Sequence, residues 1–166
     1  MTLCYKEIAS PVGKLKLVAS ASALVAVLWE NERPNREKLD AMKFDPQQPI
    51  LLETEHQLAE YFAGARSEFD LPLEPEGSAF QKKVWQALRA IPFGQTRSYL
   101  DLAKAVGSSK AARAVGAANG KNPLSIIVPC HRVVGANGAL TGFAGGLNTK
   151  AALLALEARP ILSMIK

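Results

Sequence analysis

The chain holds two cysteines, Cys4 and Cys130, and two histidines, His56 and His131, and one of each stands side by side. A thiol attacks as its thiolate, which a neighbouring base or cation makes accessible. Cys130 and His131 are therefore a candidate nucleophile and base, and a carboxylate would orient the imidazole. Residues 77–166 contain two acids, Asp101 and Glu157, and either could serve. Side chains of neighbouring residues in an extended segment point apart. His131 would reach the sulfur only through a turn or a bridging water. Cys4 lies in a β-prone run, where a thiol behaves as a small hydrophobe. His56 lies on an amphipathic, acidic segment and reads as an exposed or capping residue. These four residues lack the close paired spacing of a metal site.

Charge marks the same half of the chain. Residues 1–76 carry 8 Lys or Arg against 13 Asp or Glu, and residues 77–166 carry 12 against 2, a net +10. Such a concentration of cations repels itself unless a polyanion is near. A phosphate backbone rewards it through counterion release, so the pattern points to nucleic acid. A solvated basic face, neutralisation by the acidic half, or an anionic small ligand are the alternatives.

At 166 residues, 48% hydrophobic and 21% charged, the composition is that of a globular protein with its own core, not a disordered tail, a collagen or a coiled coil. Two cysteines make no disulfide scaffold, and no run of apolar residues is long enough for a membrane helix. The apolar stretch Leu15–Trp29 has no short basic start before it and reads as two adjacent strands, so a cytoplasmic location is expected. Residues 3–10, 14–20 and 23–30 are β-prone runs separated by Pro11-Val12-Gly13 and Ala21-Ser22. Residues 31–49, with three prolines, read as an irregular connection with one short helix. Leu51, Leu58, Tyr61, Phe62 and Ala65 share a helix face. Leu71–Gly77 reads as a linker where the charge switches.

Beyond it the pattern turns helical. Ser78 with Gln81 and Ser98 with Asp101 begin two helices. Gly107-Ser108-Ser109 breaks the second, and residues 110–119 form a third, rich in alanine, so the pair outlines a helix-turn-helix. Its small side chains permit close approach to another surface, or tight core packing. The apolar run Leu124–Val128 predicts a buried strand or extended segment leading into Pro129-Cys130-His131-Arg132-Val133. A turn at Gly135–Gly138, a glycine-rich stretch and a last helix, capped by Asn148 and ended by Pro160, complete the chain.

Pro129-Cys130-His131-Arg132-Val133 resembles the active-site motif of the O6-alkylguanine-DNA alkyltransferases. Phe93-Gly94, Ser98-Tyr99, Ala111–Gly116, Asn122-Pro123, Val133-Val134, Gly145-Gly146-Leu147 and Glu157 are similar to the family in order and spacing, so the resemblance covers most of residues 78–160. It implies a mixed α/β (α+β) protein. Residues 1–76 would form a ribonuclease H-like sheet domain, and residues 77–166 a mostly helical domain with a winged-helix-like helix-turn-helix. It further implies irreversible, single-turnover transfer of an alkyl group from O6 of guanine, and from O4 of thymine, to Cys130. His131 would take the thiol proton through a water, Glu157 would orient His131, and Asn122 would hold the cysteine segment. Tyr99 would donate to the departing guanine.

The resemblance places Ala111, Ala112 and Gly116 on a helix entering the minor groove, with Ser98 and Tyr99 beside the DNA. Arg113 would fill the stack vacated by a flipped base. Val133, Phe143 and Ala144 would line the base pocket; the family often has a hydroxylated ring at the Phe143 position and serine at Ala144. The expected partner is double-stranded DNA containing O6-alkylguanine, bound by a monomer without cofactor, metal or membrane. Rival readings are a non-catalytic binder of alkylated DNA, a cysteine hydrolase and a helix-turn-helix regulator.

Overall fold

The computed structural model describes residues 2–30, 32, 42–108 and 110–159. They fall into two compact units, one within Met1–Glu76, to which Arg159 also belongs, and one over Gly77–Ala158.

In the first unit the three β-prone runs become antiparallel strands β1 (Leu3–Ile8), β2 (Leu15–Ala19) and β3 (Leu24–Trp29). Gly13, at φ 109°, makes the first turn, a conformation open to glycine. β3 is buried along its whole length, which is why it reads as a continuous apolar run and not as an alternation. Helix α1 (Pro49–Phe62) starts with proline at its first position, and the Gln48 side chain accepts from the Leu51 N–H at 2.9 Å. It buries Leu51, Leu58 and Tyr61 of the face the spacing predicts, leaves Phe62 half-buried, and ends before Ala65, which is exposed. His56 is exposed and lies 3.7 Å from Glu60, and Cys4 sits half-buried on β1 opposite Ala19.

Two expectations for this unit need correction. The stretch read as an irregular connection contains a strand, β4 (Met42–Phe44), which pairs parallel with β1 and completes a sheet of order β3-β2-β1-β4. Three residues are too short to show a period, and their partner lies at the other end of the segment. Residues 31 and 33–41, where a short helix was expected, lie outside the described residues. The presumed linker is also pinned at its start. The Leu24 N–H donates to the Pro72 carbonyl, and the Glu74 N–H to the Leu24 carbonyl, both at 2.8 Å. Pro72 lacks an N–H, but this edge pairing uses its carbonyl.

In the second unit, α2 (Ala79–Arg89) opens with a reciprocal capping box between Ser78 and Gln81 and buries Val84, Trp85 and Leu88. The Trp85 indole N–H donates to the Ala118 carbonyl at 2.8 Å. Helix α3 (Tyr99–Ala105) opens with a second box, between Ser98 and Asp101. Gly107, at φ 79°, turns the chain into α4 (Ala112–Gly120), giving the helix-turn-helix. This helix starts later than the composition suggests, because the Ala111 N–H bonds the Ser108 carbonyl and closes the turn instead.

The last helix, α5 (Leu147–Glu157), is also entered differently. Gly146, at φ 93°, is its N-cap, and Asn148 lies inside the first turn. Pro160, expected to end it, lies outside the described residues. No helix of the described residues is long and apolar enough to cross a membrane.

Candidate active site

The segment before Cys130 is buried throughout, but it is a tight loop and not the strand or extended run its composition suggests. Ile126 has φ 74°, the one positive value among the described non-glycine residues. Strain of this kind persists only where surrounding structure enforces it. Asn122 does so: its side-chain amide donates to the Val128 carbonyl at 2.9 Å, and its side-chain oxygen accepts from the Leu124 N–H at 3.0 Å. One buried asparagine thus closes the loop from both ends and presents the next residues in a fixed place.

Those residues, Cys130–Arg132, form a single 3-10 turn, and all three are buried. The turn puts the consecutive Cys130 and His131 on a compact bend. His131 Nε2 lies 2.7 Å from Glu157 Oε2. The same carboxylate accepts from Arg132 Nε at 2.7 Å and Nη2 at 3.0 Å, while Arg132 Nη1 donates to the Ile91 carbonyl at 2.7 Å. Of the two candidate acids, Glu157 is therefore the one beside His131. Asp101 is exposed and serves the N-terminus of α3, where hydrogen bonds from Ser98 hold its carboxyl below the usual range.

Protonation follows from this geometry. Burial pushes Glu157 up, but hydrogen bonds from His131 and Arg132 and their charges outweigh it and bring its pKa down to about 2. It is a carboxylate at neutral pH. Burial lowers His131, and the hydrogen bond and charge of Glu157 do not fully compensate, with Arg132 and Lys150 lowering it further. His131 is thus neutral at pH 7 and carries one ring proton. A carboxylate only accepts, so that proton sits on Nε2. Nδ1 is then a bare acceptor. It is buried and has no protein hydrogen-bond partner. A base with its lone pair free and its other nitrogen anchored is what thiol deprotonation requires.

Tyr99 reaches this region by a second route. The short strand β5 (Arg97–Ser98) pairs parallel with β6 (Val133–Val134), which follows the turn directly. This ties the start of α3 to the cysteine segment. The Tyr99 ring packs beside Gly116, and its hydroxyl shares a hydrogen bond with Thr141 Oγ1 at 2.5 Å. The small residues of α4 therefore do two things: Val115 and Ala118 are buried and Gly116 makes room for Tyr99, while Arg113, Ala114 and Ala117 are exposed. Ala111 and Ala112 are half-buried at the helix start. Val133 is buried, Phe143 half-buried and Ala144 exposed. Among the described residues no group of His, Cys, Asp and Glu is placed to hold a metal.

Three residues of this site were missed from the sequence: Arg132, Thr141 and Lys150. A signal for Lys150 existed. It falls on the same helix face as Leu153 and Glu157, so two of the three buried residues of α5 are charged.

The family described as 6-O-methylguanine DNA methyltransferase, DNA binding domain, matches residues 79–159, and the ribonuclease-like domain of the same family matches residues 3–75. The chain belongs to the 6-O-methylguanine DNA methyltransferase family. It is 46% identical to the methylated-DNA–protein-cysteine methyltransferase of Methanosarcina acetivorans, over 92% of this chain and 97% of that one. Identity to the Mycobacterium bovis protein of the same name is 47%, over 92% and 91%. Among solved structures, that of Mycobacterium tuberculosis OGT in complex with DNA superposes with a TM-score of 0.86 at 46% identity, covering 93% of this chain and 92% of that one. As a methyltransferase of this family, the chain has the expected mixed α/β architecture, an N-terminal sheet domain followed by a helical DNA-binding domain.

Proposed function

We propose that this methyltransferase repairs O6-alkylguanine in double-stranded DNA by moving the alkyl group to Cys130, once per molecule. O4-alkylthymine is a second substrate. The observation that carries the reading is the Cys130-His131-Glu157 arrangement, with His131 held neutral and its Nδ1 open. Nδ1 takes the thiol proton through one bridging water. The thiolate attacks the alkyl carbon in line; the S–C bond forms as the C–O6 bond breaks, and the electron pair leaves on the guanine. The Tyr99 hydroxyl donates a hydrogen bond to the base as it accepts that charge. The product is a thioether, whose sulfur is a poor leaving group, so the thiol is not regenerated. The chemistry needs no cofactor.

A base inside a duplex cannot reach a buried thiol. It must be flipped, at a cost of a few kcal/mol. Arg113 is exposed on the small-residue helix α4, and we assign it to the gap left in the stack. Ala111, Ala112 and Gly116 give that helix the slim profile a minor groove admits, and Ser98 and Tyr99 stand beside the DNA. Val133, Phe143 and the Ala144 backbone line the base pocket, and Asn122 holds the loop that presents the nucleophile. The reading gives residues 77–166 both DNA binding and transfer, in a monomer. The test is Cys130→Ser mixed with a duplex holding one O6-methylguanine. Retained binding with no transfer supports the reading; transfer by this variant ends it.

A further inference from the structure

Helix α4 is short for the task given to it. Its nine residues include Gly116 and Gly120, and an isolated helix of that length is marginal even when rich in alanine. Tertiary contacts must hold it, yet the residues it buries are Val115, Ala118 and Asn119, which offer little apolar bulk. Among the described residues no side chain caps its start, and the buried Asn119 Oδ1 makes no hydrogen bond. A helix slim enough for a groove thus lacks the means to anchor itself.

The anchor comes from α2. Trp85 is buried, and its indole N–H reaches across to the Ala118 carbonyl at 2.8 Å. An indole carries one donor, and here it serves the last turn of α4. Backbone closes off the other edge of the ring. Gly77 stands so near that a Cβ there would collide with ring atoms Cη2 and Cζ3, and would meet Gln81 Oε1 at 2.9 Å. Gln81 Oε1 in turn accepts from the Ser78 N–H, also at 2.9 Å, in the capping box of α2. The indole is clamped between the entry of α2 and the end of α4.

We propose that Trp85 is a positioning residue for DNA: seated against Gly77, its indole fixes the last turn of α4 and with it the placement of Arg113 and the small-residue face. The inference rests on α4 being the helix that reads the DNA. Arg113 precedes Ala118 by one and a half turns, about 7.5 Å along the helix axis, so movement at the anchored end carries to it. The Ala118 carbonyl also accepts from the Lys121 N–H at 3.1 Å. Removing the indole donor therefore alters the placement of α4 without leaving that carbonyl bare. Bulk at residue 77 acts on α4 through the same ring.

The test measures the affinity of the full chain for a fluorescein-labelled, undamaged duplex by anisotropy. Wild type, Trp85→Phe, Gly77→Ala and the double variant are compared at a temperature where melting shows each folded. Alkylation of Cys130 by iodoacetamide is recorded beside it. Loss of one hydrogen bond that sets a binding surface should weaken the duplex complex about threefold to tenfold in Trp85→Phe. Gly77→Ala should weaken it by a similar factor. Phenylalanine lacks the ring atoms that meet the new methyl, so Gly77→Ala should add nothing in the Trp85→Phe background. Unchanged affinity in folded Trp85→Phe overturns the proposal, as does additivity of the two substitutions. A loss of Cys130 alkylation as large as the loss of affinity also overturns it, because that marks general disruption. If the variants do not fold, hydrogen exchange in the wild type decides. One shared exchange rate for the Trp85 indole N–H and the α4 amides supports the anchor; α4 amides that exchange roughly tenfold faster refute it. Wild type that binds no duplex sinks the functional reading, while exchange still decides whether Trp85 holds α4.

Discussion

Replacing Glu157 by glutamine changes one atom and should disable the site in two separable ways. The carboxylate accepts three hydrogen bonds, one from His131 and two from Arg132. The amide offers one oxygen and turns its other end into a donor. If that NH2 faces His131, Nε2 must become the acceptor, the ring proton moves to Nδ1, and the lone pair needed by the thiol is gone. If the oxygen faces His131, the Arg132 guanidinium confronts an NH2 group. General-base assistance is worth on the order of 10²–10⁴ in rate, so methyl transfer should slow by about that factor. Stability should fall too, because removing one partner of a buried ion pair costs roughly 3–5 kcal/mol.

The pH dependence separates the two groups. Glu157 has its pKa lowered to about 2, so its stabilisation is complete above the unfolded value of 4.5 and is lost as pH falls toward 2. That shift corresponds to roughly 3 kcal/mol. His131, lowered by burial, acts higher: below pH 6.5 the unfolded chain takes up a proton that the folded chain does not, so stability falls there as well. Chemical denaturation from pH 7 to pH 3, with single-turnover transfer rates on a methylated duplex, measures all of this. Glu157→Gln should keep the loss that begins near pH 6.5 and lose the one below pH 4.5. A variant that transfers within twofold of the wild type and shows the same acid profile would refute the assignment of Glu157.

Other substitutions probe the frame. Asn122→Ala removes both side-chain hydrogen bonds that brace the 122–128 loop; the Leu124 N–H is left buried without a partner, while the Val128 carbonyl keeps its bond from the Cys130 N–H at 2.8 Å. It should cost roughly 1–3 kcal/mol by denaturant titration and reduce Cys130 reactivity toward a small alkylating agent. Gly94→Ala places a methyl 3.2 Å from the Glu157 carbonyl at a φ of 83°, so melting should show about 1–3 kcal/mol of destabilisation. Arg113→Ala should slow repair of a duplex lesion much more than repair of an extrahelical alkylated base. Equal slowing of the two would remove Arg113 from flipping.

The legible parts of the chain were those whose signal is local. Both capping boxes, Ser78 with Gln81 and Ser98 with Asp101, form as the residue types demand, because each is complete within four residues. The core face of α1 follows from its spacing. The unreadable parts depend on distant partners. Strand β4 exists through pairing with β1, and the start of the linker is extended because Leu24 accepts and donates there. The loop before Cys130 misled because Leu124–Val128 is wholly apolar, as a strand would be, while the side chain of Asn122 decides its shape. At the site, adjacency made Cys130 and His131 obvious, but the choice between Asp101 and Glu157 required knowing which helix end returns to the turn. Arg132, Thr141 and Lys150 were overlooked because a charge or hydroxyl in sequence looks solvated until its burial is known.

The most direct measurement is the intact mass of the protein after mixing with a duplex carrying one O6-methylguanine. Replacing the thiol hydrogen by a methyl group adds about 14 Da, once per chain. The account predicts that gain at one equivalent of lesion, no further gain with excess, and peptide mapping to Cys130. Catalytic turnover, or a gain located at Cys4 or elsewhere, would contradict it, as would unchanged mass on a DNA that the protein demonstrably binds.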